Sequence, residues 1–298
     1  IQNNTTACNL RTSGMRTFSS GAQVTFNVAG AQVISNAYPT DSGLDLEINN
    51  TNGVNLLGDV TVGGDLTLLD GDLNVGSNQL TLQGTISPNS NFIDVTSDSD
   101  IIINGSGAFG VFPFAGTATL NNFSFGRVGQ TVDFNQDVTI NGLHTLSNGD
   151  LDFSNQTLVL NNGSTSFSGT GSLLSNSTSV LNITGSGPFG NIQFNGSPPL
   201  GSMIINRDGG TVSLIGPVNI VSALDLDNGS FDNSLGTVLM SNNSTLTKNT
   251  AVTFTGNPPE TSNPDTYNLI YEGASQTTGS EIPTAANPDV LGNLTIST

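Results

Sequence analysis

Apolar residues along this chain come in pairs, two positions apart. Val54/Leu56, Val60/Val62, Leu66/Leu68, Leu73/Val75 and Leu80/Leu82 follow one another at short, nearly even steps. Two-residue spacing puts both side chains of a pair on one face of a strand. Between the pairs stand Gly, Asn, Asp and Ser, residues that accept tight corners. The pattern predicts strands of about three residues, three to a coil of about 20 residues. It contains no useful length of helical 3.6 period.

A longer period overlies this beat. Val54-Asn55-Leu56-Leu57-Gly58-Asp59-Val60-Thr61-Val62 returns as Val132-Asp133-Phe134-Asn135-Gln136-Asp137-Val138-Thr139-Ile140, and again as Val212-Ser213-Leu214-Ile215-Gly216-Pro217-Val218-Asn219-Ile220. Ile103-Asn104-Gly105-Ser106-Gly107-Ala108-Phe109-Gly110 recurs at the same spacing as Ile183-Thr184-Gly185-Ser186-Gly187-Pro188-Phe189-Gly190. Fixed-period self-similarity, here of about 80 residues, signals a stack of units that bury their apolar faces on one another. The expected fold is therefore all-β, a right-handed parallel β-helix (β-solenoid) of about 20-residue coils. Its super-repeat of about 80 residues then corresponds to four coils, with Val60, Val138 and Val218 in equivalent inward places. Tandem immunoglobulin-like sandwiches are the rival for a unit of this size. They fit less well, because their strands are longer and the beat here crosses unit boundaries without a linker.

The expected organisation has residues 1–43 as an N-terminal cap or irregular segment and 44–298 as solenoid. The units run about 44–120, 121–200 and 201–288, with a fourth starting at 289–298. Asn257-Pro258-Pro259 and Asn263-Pro264 loosen the third unit, since proline removes ladder donors. The stretch Val290–Ile296 starts a unit and leaves an apolar strand edge. The expectation is continuation in a longer chain or head-to-tail self-association.

Composition changes the picture in one respect. Charged residues are only 9%, and 23 acids against five Lys and Arg give a formal net charge of −18. Nucleic acid needs clustered basic residues, so it is not an expected partner. Anionic membrane surfaces are disfavoured for the same reason, and no apolar run is long enough for membrane insertion as a helix. The regular apolar spacing argues against disorder. Cys8 is the sole cysteine, which excludes an internal disulfide; it reads as a buried thiol or a link to another chain.

Gly58-Asp59-Val60-Thr61-Val62-Gly63-Gly64-Asp65-Leu66-Thr67-Leu68 and the following Asp70–Leu82 stretch carry a resemblance. So do Thr266–Gly273, Thr277–Pro283 and Val290–Ile296. Residues 44–298 resemble the repeats of very large surface and adhesin-type proteins of Bacteroidota. The resemblance implies secretion, through the type IX system, and a location outside the cell or on its surface. It also implies roles in adhesion, gliding or extracellular filaments. The resemblance also implies a C-terminal sorting domain, which residues 44–298 do not contain.

Candidate chemistry is sparse. Asp70/Asp72, Asp98/Asp100, Asp150/Asp152 and Asp225/Asp227 are i, i+2 pairs, spaced ~6.5–7 Å along a strand. That separation overlaps that of inverting glycosidases. The acids recur at equivalent repeat positions, however, which reads as corner and outer-face chemistry rather than one catalytic centre. No catalytic residue is assigned, and no resident cofactor is expected. Asp94, Asp98 and Asp100 are close together in the chain and form the one candidate oxygen site for Ca2+. His144, the only histidine, aligns with Leu66 and Leu224 and reads as a buried, hydrogen-bonded side chain rather than a ligand. The expected function is a non-enzymatic extracellular stalk or fibre. The alternatives are a carbohydrate-binding adhesin module, with glycans as partners, and a polysaccharide lyase or glycoside hydrolase on a β-helix.

Overall fold

The computed structural model describes residues 18–35, 38–39, 43–161, 171–262, 264–283 and 290–297, and the backbone of 165–167. Among these residues there is no α-helix, and the strands of the ladder pair in parallel. Strands pair with the strand one coil later: Leu46 with Leu66, Leu66 with Ile86, Val60 with Leu80, Leu80 with Ile101. The chain is a β-solenoid of about 12 turns. With strands ~4.8 Å apart, that stack is roughly 55–60 Å long. Coils are not of one length: the step from Val54 to its partner Leu73 is shorter than the step from Leu269 to Leu294.

Alternation in three- to five-residue strands explains the core. Val60–Val62, Ala118–Leu120, Val138–Ile140 and His144–Leu146 each bury their first and third residues and turn the middle one outward. The inward residues stack coil upon coil into one continuous core from Val24 to Val290. One extended run, Pro199–Met240, winds through two coils: its Met203 pairs with Leu181 and its Leu224 with Leu246. In the proline-rich stretch of the third unit, the described residues pair through an isolated bridge, Leu239 to Glu260.

The stacking begins earlier than the sequence boundary at residue 43. Gln23–Phe26 pairs with Asp45–Asn49, and Gln32–Ile34 pairs with Val54–Leu56. Residues 23–34 thus belong to the ladder. Cys8, Arg11 and Arg16 lie outside the described residues.

The long sequence period is not four coils. Val60 lies in the column Val60–Leu80–Ile101–Phe123–His144, whereas Val138 lies in the column Ala118–Val138–Leu158–Leu181–Met203. Ile103 and Ile183 likewise lie on these two different faces, Ile103 beside Leu82 and Phe125 and Ile183 beside Leu160 and Ile205. Val60–Val62 and Val138–Ile140 are eleven strands apart in chain order, as are Asp100–Ile103 and Val180–Ser186. Four complete three-strand coils would need twelve. The repeat copies the residues inward and outward correctly but moves them to the neighbouring face.

Corners give some of the acids a structural role. Asp45 Oδ1 accepts the Asp65 N–H at 2.8 Å, and Asp65 Oδ1 accepts the N–H of Thr85 at 2.7 Å and its hydroxyl at 2.8 Å. Asp59, Asp72 and Asp137 accept the N–H groups of Gln79, Phe92 and Thr157 in the same way. Each carboxylate ties one coil to the next. A charge-assisted acceptor is well suited to a backbone donor that a short strand leaves over at its bend.

Candidate functional site

The outward side of the early coils carries a concave feature. On the parallel strands Val54–Leu56, Leu73–Gly76 and Ile93–Val95, Asn55, Asn74 and Asp94 stand in one column. With Asp72 and the turn Thr51–Gly53 they line a cavity of about 200 Å³. Asp94 also borders an adjoining cavity of about 230 Å³ that runs over Phe114 to Ala118. Partial burial, and then the charge of Asp72, raise the Asp94 carboxyl above its ordinary value. The groove is lined by amides, carboxylates and backbone, which suits a hydroxyl-rich ligand held by hydrogen bonds.

The three proposed calcium ligands do not converge. Asp94 faces this groove from its strand, and Asp98 sits in the exposed turn beyond it. Asp100 Oδ1 accepts from the side chains of Asn121 and Asn122, each at 2.9 Å. No group of three or more His, Cys, Asp or Glu able to hold a metal forms among the described residues.

Several of the paired acids are committed to local hydrogen bonds. Asp72 serves the Phe92 N–H at 2.7 Å, and Asp152 serves the Ser154 N–H at 2.9 Å. Asp150 accepts from the Ser172 hydroxyl and from the Asn195 amide. Asp225 is raised by burial and by Asp227 and Glu272, against a lowering hydrogen bond from Thr247. Carboxylates also face one another across coils, Asp94 near Asp72 and Asp133 beside Asp152.

His144 is 1% exposed, and its ring stacks on Phe123 with centroids 6.1 Å apart. Burial lowers its pKa from 6.5 to about 3, so the ring is neutral at pH 7. Between pH 6.5 and about 3 the unfolded chain binds a proton that the native chain refuses. His144 therefore costs nothing by titration above that window. Stability falls as pH drops through it, by about 1.4 kcal/mol per pH unit at most. Urea unfolding of the wild type and of His144→Leu at pH 7, 5 and 4 should show the difference between them widening only on the acid side. A constant difference would refute this titration.

The basic residues carry an arrangement that sequence reasoning missed. Arg127 and Arg207 are 0% exposed although each is a guanidinium cation. Arg127 donates from Nε to Asn104 O at 2.8 Å and from Nη1 to Gly107 O at 3.3 Å, with its guanidinium 4.9 Å from the centre of the Phe109 ring. Arg207 donates from Nη1 to Thr184 O at 2.6 Å and from Nε to Gly187 O at 2.9 Å, 5.0 Å from the Phe189 ring. The Gly-Ser-Gly-x-Phe-Gly motif is thus the carbonyl wall of an arginine cage, filled from the following coil. Gly105 has φ +86°, and a Cβ there would strike Gln83 O, which accounts for the motif's first glycine. The signal was present in the sequence: Arg127 and Arg207 are themselves one long period apart, like the motifs they fill. Lys248, also buried, lies 5.5 Å from the Tyr271 ring.

At the other extreme of the described ladder, the strand Leu291–Ser297 pairs with Tyr267–Glu272. Leu294 stacks after Leu269 and Ile296 after Tyr271, yet they are 51% and 65% exposed. Among the described residues, nothing covers these two core columns or the free edge of the strand.

No protein-family model, curated protein or solved structure matches this chain.

Proposed function

We propose that this chain is a non-enzymatic structural element of an extracellular stalk or fibre, lengthened by stacking further coils on its ladder. The open strand Leu291–Ser297, with Leu294 and Ile296 standing where core residues should be covered, carries the reading. A parallel ladder has no geometric stop, and an uncovered apolar edge pairs readily with another strand. The incoming coil belongs to the same polypeptide or to a neighbouring copy; in the second case one repeated, non-closing contact gives a filament. The corner role of the carboxylates supports a structural use of the acids over a catalytic one.

Purified chain should form end-to-end particles in negative-stain electron microscopy, with molar mass rising with concentration in light scattering. Leu294→Lys with Ile296→Lys should disperse them without changing the circular dichroism. A monomer at every concentration, indifferent to the double substitution, would defeat end-on assembly of copies.

Glycan binding is a second reading, favoured by the groove of Asn55, Asn74, Asp72 and Asp94. A glycan array with wild type and Asn74→Ala tests it: a signal lost in the variant supports the groove, and an empty array removes it.

A further inference from the structure

Lys248 is the only lysine of the chain, and it points into the core. It occupies the inward column between Leu226 and Tyr271, positions that neighbouring coils fill with apolar side chains. Its Nζ lies 3.8 Å from Glu281 Oε1 and donates to Thr277 O at 2.9 Å. Glu281 is 0% exposed. Its Oε1 accepts two hydrogen bonds, from the Tyr271 hydroxyl at 2.7 Å and from the Gly279 N–H at 2.8 Å. Its Oε2 is buried with no hydrogen-bond partner among the described residues.

As a simple ion pair this is a poor arrangement. Two charges are taken out of water, and one carboxylate oxygen receives nothing in return. The asymmetry matches a different use. Two donors converge on one oxygen, as they must where negative charge develops on an acyl oxygen, and the other oxygen is left unheld, as a leaving group should be. An amine stands beside the same carboxyl in a site without solvent.

We propose that Lys248 and Glu281 condense to an intramolecular isopeptide bond between Nζ and Cδ. A proton passes from the ammonium to the carboxylate, giving an amine and a carboxylic acid. The nitrogen lone pair attacks Cδ, and the carbonyl electrons move onto Oε1, held by the Tyr271 hydroxyl and the Gly279 N–H. The Cδ–Oε2 bond then breaks, and Oε2 leaves with two protons as water, the second taken from the attacking nitrogen. One water is released, and no oxidant, nucleotide or metal is required. The amide removes both buried charges and ties the strand Thr245–Asn249 covalently to the segment 277–283, next to the open end of the ladder. The bond does not depend on the fibre reading, since it forms within one chain.

Intact-mass spectrometry of the full chain, purified and held at neutral pH, tests this directly. The expected mass is that of the sequence less one water. Digestion after unfolding should yield a branched peptide joining Lys248 to Glu281. Lys248→Met and Glu281→Leu should each keep the full sequence mass. Tyr271→Phe, which removes one donor to Oε1, should slow the reaction about a hundredfold. A wild-type chain that keeps its full mass after prolonged incubation, with β-rich circular dichroism intact, overturns the proposal and leaves the pair an ion pair only. Because the decisive measurement is made on the wild type, a variant that fails to fold does not rescue the idea.

Discussion

Arg127→Ala is expected to lower the unfolding free energy by about 3–5 kcal/mol, a loss as large as that of a big core side chain. Three effects add. The half-buried carbonyl of Asn104 loses its donor, at a cost of up to about 1–3 kcal/mol, while the carbonyl of the exposed Gly107 can turn to water. The Phe109 ring loses the cation above it, and the removed side chain leaves a void between two coils. Arg127→Lys keeps the charge but not the flat fork that reaches several carbonyls at once, so it should recover only part of the loss. Arg207 sits several coils away in an equivalent cage, and the two losses should sum in the double variant. Urea denaturation checks all four proteins. A loss below about 1 kcal/mol for Arg127→Ala would mean that desolvation of the guanidinium cancels its bonds, as happens for some buried charges.

Phe134→Ala should cost a similar amount, about 3–5 kcal/mol, by a purely apolar route. The ring is fully buried and meets Phe114 edge-on at 5.3 Å and Phe123 at 4.9 Å. Phe112 and His144 extend the same cluster. A solenoid interior has only one layer of side chains per coil, so neighbours have little freedom to close a ring-sized gap. Phe134→Leu should cost clearly less than alanine, because it refills most of the volume. Equal losses for alanine and leucine would point to lost aromatic geometry rather than to a cavity.

The fold was legible because two-residue apolar spacing has only one physical reading in strands this short. Val60/Val62 and Val138/Ile140 point inward as their spacing requires. Their position around the axis was not legible. Similar sequences invite superposition, and the long period divides plausibly into four of the short coils. The corners are not of one length, however, and eleven strands fall one short of four coils. Only the pairing of Val60 with Leu80, and of Val138 with Leu158, reveals the offset. The site chemistry was legible in part. Asp72, one of the acids read as a corner group, accepts the Phe92 N–H of the next coil. Asp94, Asp98 and Asp100 are close in sequence, but the bend between their strands separates their tasks. The cages of Arg127 and Arg207 escaped notice because a cation is expected outside, and composition alone does not say that its partners are carbonyls. Glu281 was invisible for another reason: its partners, Lys248 and Tyr271, come from two other coils.

The burial of Arg127, Arg207 and Lys248 has a further consequence. Enzymes that cut proteins after lysine or arginine must draw a length of extended chain into their cleft. Each of these three side chains is instead locked inside the ladder. Among the described residues, the folded solenoid offers such proteases no side chain to grasp. Cleavage after any of these three residues would therefore have to wait for local unfolding of the coil that holds it.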